Sequence, residues 1–260
     1  MTTLTTRERR RTGAHGCLVL GGSGYVGSAV CRVLASQGLR VAFTYWKNEA
    51  SAKALCAELP GSIALRADFM QFAQVTDAVN AGAQVWGGLD ALIQCVGTAG
   101  DPSLYVSEAS GKPDRFLAIT ESGWNEMMDL TAKSTFAACQ AATRAMDEDG
   151  GHIVVVGSMD GVKSVPSPVH YASGKGALRA MVQALAKELG KRRILVNMLA
   201  PGILDGGVAG LLSDDLRQEY VKHCSLKRTG TAAEIAQFVA WLVTENTYVT
   251  GQSILLDGGL

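Results

Sequence analysis

The chain has 260 residues, 47% of them apolar, with 24 basic and 24 acidic side chains and a net charge of zero. That balance gives no electrostatic footprint for nucleic acid, and no apolar stretch reaches the ~20 residues that span a bilayer. A chain of this length buries roughly three quarters of its unfolded surface, so it needs no disulfide or metal to hold it.

Residues 1–14 are polar and carry one basic run, Arg7, Arg9, Arg10 and Arg11. They read as a flexible tail before a single domain over 15–260. The N-terminus lacks the apolar core of a secretory signal. Cys17, Cys31, Cys56, Cys95, Cys139 and Cys224 are scattered, mostly in apolar runs, and form no CxxC. That pattern predicts reduced thiols in a cytoplasm. His15, His152, His170 and His223 show no metal-ligand spacing. No metal site is expected, and His170 reads as a packing or rim residue.

In chain order, Cys17 to Leu20 is an apolar strand and Val26 to Ser36 a helix. Val41 to Thr44 is a second strand, followed by a helix from about Ala50 to Leu59. Further strands are predicted at Ile63–Ala67, Ala91–Val96, Ile153–Val156, Ile194–Leu199 and Ile254–Leu256. The main later helices are Trp124–Ala145, Tyr171–Leu189 and Ala232–Val243. Continuous apolar strands alternating with helices predict an α/β fold, a doubly wound parallel sheet with helices on both faces. There is no linker, repeat or low-complexity tract, so one domain is expected.

Two stretches exceed a tight strand-to-helix connection. Thr98 to Gly123 contains Asp101, Glu108, Lys112, Asp114 and Arg115, and reads as a solvated loop. Gly202 to about Ser225 begins glycine-rich. Long loops in a compact domain are usually functional or mobile. Both follow strands at their C-terminal ends, where open α/β sheets bind ligands.

Leu20-Gly21-Gly22-Ser23-Gly24-Tyr25-Val26-Gly27 joins the first strand to the first helix. Glycines at such a turn let backbone amides approach a pyrophosphate, and the helix N-terminus favours its charge. The second strand ends in Thr44-Tyr45-Trp46-Lys47-Asn48, with no acid before Glu49 to hold the ribose 2′-hydroxyl of NAD. Lys47 is placed to pair with a 2′-phosphate, which favours NADP(H) over NAD(H). Trp46 either stacks on the adenine or caps the sheet. Asp68, with Phe69 beside it, either accepts from the adenine amino group or caps the next helix.

Tyr171-Ala172-Ser173-Gly174-Lys175 opens a helix, and the i,i+4 spacing puts Tyr171 and Lys175 on one face. An ammonium beside the phenol, helped by the positive charge of an oxidised nicotinamide, is expected to lower its pKa. Ser158, just past the Ile153–Val156 strand, adds a hydroxyl that can donate to a carbonyl oxygen.

These motifs, with Asn197-Met198-Leu199-Ala200-Pro201-Gly202 and the ending Val249-Thr250-Gly251-Gln252 through Asp257-Gly258-Gly259, resemble the short-chain dehydrogenase/reductase family over residues ~15 to 260. The nearest resemblance is to 3-oxoacyl-(acyl carrier protein) reductases. It implies a seven-stranded Rossmann sheet and a homotetramer or homodimer. It also implies hydride transfer from a nicotinamide to a carbonyl carbon, with Tyr171 giving the proton. Lys175 would bind the nicotinamide ribose and Ser158 would hold the carbonyl. Cys95, Gly97, Pro201, Gly202 and Ile203 would border the cofactor.

The sequence departs from the family pattern at several places. Tyr25 stands where the turn usually has its middle glycine, and Leu20 where it has threonine. The usual NNAG is Gln94-Cys95-Val96-Gly97. The threonine that commonly follows Pro-Gly is Gly206. Thr131 aligns with a catalytic asparagine that holds a relay water. A mid-helix threonine can bond its i−4 carbonyl and bend the helix. That would leave a carbonyl for the water, or weaken the relay, or be neutral.

The leading expectation is therefore NADPH-dependent reduction of a ketone, a 3-oxoacyl thioester or polyketide-like β-keto substrate. Lys133, Arg144 and Arg179 are candidates to meet a carrier protein. The alternatives are a dehydrogenase of a small alcohol, sugar or cyclic ketol, and a catalytically weak dinucleotide-binding sensor or assembly protein. The alanines at 137, 138, 141, 142, 177 and 180 permit close helix approach, in the core or between subunits.

Overall fold

Strands and helices alternate along the chain in a computed structural model that describes residues 15–105 and 116–260. The strands are β1 (Cys17–Leu20), β2 (Val41–Tyr45), β3 (Ile63–Arg66), β4 (Ala91–Gln94), β5 (Gly151–Val156), β6 (Ile194–Pro201) and β7 (Ser253–Leu256). They form one seven-stranded sheet in the order β3-β2-β1-β4-β5-β6-β7, every pair parallel. The order reverses at β1, whose neighbours are β2 on one side and β4 on the other. Loops leaving β1 and β4 diverge there and open a crevice at the C-terminal ends of the strands.

The helices are α1 (Tyr25–Ser36), α2 (Glu49–Glu58), α3 (Phe72–Gln84), α4 (Glu121–Met128), α5 (Ser134–Ala145), α6 (Val169–Leu189), α7 (Asp214–His223) and α8 (Ala232–Thr244). Alternation along the strands sorts their side chains into two cores. Leu18 and Leu20 of β1 pack with Val75 of α3, Ala138 of α5 and Val182 of α6. Cys17 and Val19 face the other way, onto Val30 of α1, Leu55 of α2 and Val239 of α8. A sheet buried on both faces explains why the strands read as unbroken apolar runs. Ala137, Ala138, Ala141 and Ala142 lie in the first of these cores. Their small size serves close packing of α5 on the sheet.

Three expectations change. The stretch from Trp124 to Ala145 is not one α-helix: α4 and α5 are joined by a π turn, Asp129–Lys133. One extra residue is accommodated there, a feature often found beside functional sites. The stretch after Gly202 is not a loop throughout. It holds a 3-10 turn (Gly207–Leu211) and α7, and its start is tied down by a bridge between Leu204 and Gly230. Asp68 does not cap the following helix, whose N-cap is Gln71. Its Oδ1 instead accepts the Met70 amide at 3.0 Å, in a turn two residues long.

The six cysteines are all free thiols. Among the described residues, no helix is long and apolar enough to cross a membrane. The basic run at Arg7 to Arg11 and the loop positions Glu108, Lys112, Asp114 and Arg115 lie outside the described residues.

Candidate active site

The glycine turn is built for close approach. Gly21 leaves β1 with φ of +73°, a left-handed conformation that favours glycine. Its amide donates to Thr44 Oγ1 at 2.8 Å, which ties the turn to β2. A Cβ on Gly27 would lie 2.2 Å from the Gly21 carbonyl oxygen, so no larger residue fits. Gly24 is the N-cap of α1 and brings no side-chain cap to its first turn. Uncapped amides at a helix N-terminus beside a cradle without side chains suit an anionic diphosphate. Ser23 and Val26 flank that cradle.

At the far end of the crevice, Lys47 and Trp46 are exposed just beyond β2. The guanidinium of Arg66 lies over the Trp46 ring, 5.0 Å from its centroid. Tyr45 and Arg66 are register partners on β2 and β3, so Arg66 emerges next to Trp46 and Lys47. Two cations thus stand where a 2′-phosphate is expected. Arg66 escapes a sequence reading because only the strand register brings it to Lys47. Phe69 is buried in the first core rather than open to the crevice.

One cavity of about 790 Å³ runs from the glycine turn under α7. Tyr25, Val26, Cys95 and Gly97 line one end, and Pro201, Gly202 and Ile203 its side. Ser158, Tyr171 and Lys175 share its wall. Ser158 leaves β5 as the N-cap of a one-turn 3-10 helix, Met159–Gly161. Tyr171 and Lys175 stand in the first two turns of α6. A Cβ on Gly97 would lie 3.2 Å from Lys175 Nζ, so the glycine leaves room for the ammonium. The side chain of Ser158 hydrogen-bonds the phenol of Tyr171. Leu212, Leu216 and Tyr220 form the cover from the segment after Gly206. His170 points away from the cavity: it is buried against Gly100, and burial lowers its pKa. Lys133, Arg144 and Arg179 are not among the cavity's lining residues, and Lys133 pairs with Asp129 at 3.1 Å.

The Lys175 ammonium lies over the Tyr171 ring, 5.5 Å from its centroid. Burial raises the Tyr171 pKa, the Asp160 carboxylate raises it further, and the bond to Ser158 opposes both. Lys175 itself is pushed down to about 8 by burial, with Asp160 acting in the opposite sense. Asp160 lines the same cavity and was not singled out in the sequence, where Ser-x-Asp after a strand reads only as a turn.

Thr131 also behaves otherwise than expected. It sits in the π turn, and its hydroxyl faces Met127 Sδ at 3.6 Å instead of an i−4 carbonyl. Its own carbonyl accepts the Thr135 hydroxyl at 2.7 Å. Thr135 Oγ1 in turn accepts from Gln94 Nε2 at 2.9 Å, while Gln94 Oε1 accepts the Val96 amide at 2.8 Å. The residue replacing an asparagine at the end of β4 therefore stitches that strand to the π turn. Thr131 packs against Gly174, next to Lys175 in sequence.

A sheet switch point, a glycine cradle and a wall of serine, tyrosine and lysine define a dinucleotide-dependent oxidoreductase site. A family model described as enoyl-(acyl carrier protein) reductase matches residues 23–260. The chain belongs to the short-chain dehydrogenase/reductase family and is an NAD(P)-dependent oxidoreductase acting on carbonyl or hydroxyl groups. It is 29% identical over 250 residues to a 3-oxoacyl-[acyl-carrier-protein] reductase of Chlamydia muridarum, covering 94% of this chain and 96% of that one. It is 32% identical over 245 residues to the 3-oxoacyl-[acyl-carrier-protein] reductase of Rattus norvegicus, covering 94% and 97%. Among solved structures, a short-chain dehydrogenase/reductase of Serratia marcescens superposes with a TM-score of 0.85 at 28% identity, covering 96% of this chain and 98% of that one. A blue fluorescent protein from a metagenomic library, solved with NADPH, gives 0.84 at 31% identity over the same shares.

Proposed function

We propose that the protein reduces a ketone to a secondary alcohol with NADPH. The observation that carries this reading is the common wall of Ser158, Tyr171 and Lys175 on a cavity that continues to the glycine turn. The reduced nicotinamide, when bound, supplies the hydride for the carbonyl carbon. Tyr171 hydrogen-bonds the carbonyl oxygen and gives it a proton. A phenol is protonated at neutral pH, the form a donor needs. Ser158 orients the oxygen from the other side. Lys175 contributes positive charge at the ring face and a donor for the ribose. Thr131, through its carbonyl, completes the path by which Tyr171 is reprotonated.

Lys47 and Arg66 favour the phosphorylated dinucleotide, and solved relatives carrying NADPH or NADP support the same choice. The curated relatives make a 3-oxoacyl thioester the first substrate class to try. One observation favours a second substrate class, small hydroxylated ketones: the carboxylate of Asp160 inside the cavity. Association into a homodimer or homotetramer belongs to the same family reading.

The test is NADPH oxidation with free and carrier-bound acetoacetyl thioesters and with small hydroxyketones, for wild type and Tyr171→Phe. Wild-type turnover that falls at least about a hundredfold in the variant, with NADPH binding retained, is the expected result. A wild type inert on the whole panel overturns the reading.

A further inference from the structure

Asp160 stands two residues beyond Ser158 and shares its cavity. Ser158 Oγ donates to Asp160 Oδ2 at 2.5 Å. A serine hydroxyl has a single proton. In this arrangement that proton goes to a carboxylate and not to a substrate oxygen. Asp160 has no ion-pair partner among the described residues, and its Oδ1 takes no hydrogen bond from them. The fold itself does not call for the acid: the 3-10 turn is capped by the Ser158 side chain, which accepts the Asp160 amide. A half-buried carboxylate with an open oxygen, bonded to the residue that must orient the carbonyl, calls for a ligand donor.

We infer that Asp160 is a specificity-determining residue that selects ketones carrying a hydrogen-bond donor, a hydroxyl or a protonated amine, one or two carbons from the carbonyl. Such a donor pairs with the carboxylate and takes over its acceptor sites. Ser158 is then released to donate to the carbonyl oxygen, beside Tyr171. A ketone without the donor must draw the Ser158 proton away from a charged acceptor and leave that acceptor desolvated. A charge-assisted bond lost in this way lowers kcat/KM by about tenfold to a hundredfold.

The remaining charges of the cavity agree. Besides its tyrosines and the thiol of Cys95, its other titratable side chains are Lys175 and the pair Glu219 and His223, joined at 3.1 Å on α7. Glu219 is already paired with Lys222 at 2.8 Å, which leaves Asp160 as the cavity carboxylate still able to take a donor from a neutral polyol or a cation. The inference rests on the ketone-reductase reading, and narrows it away from the plain acyl chain.

The experiment compares 1-hydroxy-2-butanone and 1-amino-2-butanone with 2-butanone, using NADPH, for wild type, Asp160→Ala and Asp160→Asn. Circular dichroism and NADPH binding of each variant confirm that it is folded. Wild type is expected to prefer the donor-bearing ketones by at least about tenfold in kcat/KM. Asp160→Ala is expected to erase that preference and raise kcat/KM on 2-butanone, a gain that a merely structural role would not produce. Asp160→Asn is expected to keep part of the hydroxyketone preference and lose the aminoketone one. Equal wild-type use of all three ketones, or a preference that survives Asp160→Ala, overturns the role of Asp160 while leaving the reductase reading intact. No turnover of any ketone, including the thioesters, overturns both.

Discussion

The ring of Tyr25 occupies the space that a side chain at position 206 would need. A Cβ on Gly206 would lie 2.7 Å from Tyr25 Cε2. The Gly206 backbone is extended, with φ of −160°, and would accept any residue. Sterics alone therefore keep it small. The Tyr25 hydroxyl also donates to the Asp205 carboxylate, which ties the glycine turn to the segment covering the cavity. The tyrosine at 25 and the glycine at 206, two departures from the resemblance's usual pattern, thus meet across the crevice.

Coupling of this kind predicts non-additive mutations. Gly206→Thr alone should displace the Tyr25 ring, break its bond to Asp205 and weaken NADPH binding about tenfold. Tyr25→Gly combined with Gly206→Thr should recover most of that loss. A double-mutant cycle on the NADPH Kd checks it; additive effects would show the two sites to be independent.

Cofactor choice should depend on Lys47 and Arg66 together. Lys47→Glu or Arg66→Ala is expected to raise the KM for NADPH about tenfold and to change that for NADH less than about twofold. Kinetics with both dinucleotides decide the matter.

Lys175 is held in the core at a cost. Its folded pKa of about 8 lies below its ordinary value of 10.5. Between those pH values the unfolded chain binds more protons, so stability rises with pH across that window; below pH 8 the full cost of the buried charge is present. Lys175→Met should abolish reduction and yet stabilise the fold at pH 7, by as much as about 3 kcal/mol. The gain should shrink as pH rises toward 10.5. Denaturant unfolding at several pH values tests both the sign and the window.

The chain Gln94–Thr135–Thr131 predicts a stability effect at the π turn. Thr135→Val leaves the Gln94 amide donor unsatisfied in the core, at about 1–3 kcal/mol. Thr135→Ser keeps the hydroxyl and should cost less. Thermal unfolding of the two variants distinguishes them, and Thr135→Val should also change turnover, because it alters what the Thr131 carbonyl binds.

Much of the fold was legible in local pattern. Cys17–Leu20 and Ile194–Leu199 read as strands because both faces of the sheet are buried, and the helices around Val30 and Ile235 because one stripe of each is apolar. Ser158, Tyr171 and Lys175 were legible because their spacing places them at one strand end and one helix start. Asp160 and Arg66 were not, since each matters through a neighbour that pattern does not reveal: a shared proton with Ser158, a shared strand register with Lys47. The π turn was hidden for a similar reason. Helical periodicity runs through Trp124 to Ala145, and the extra residue is accommodated only where Thr131 packs against Gly174 on α6.

By itself, the sequence determined the doubly wound sheet, the dinucleotide turn and the serine, tyrosine and lysine of the site, because these follow from burial period and short-range spacing. The tertiary structure alone decided where the charges act. It set Lys175 over the Tyr171 ring, gave the Ser158 proton to Asp160, and filled the space beside Gly206 with the Tyr25 ring. Such relations join residues 2 to about 180 positions apart, and hydrogen bonds and steric fit exist only once those residues share the same few ångströms.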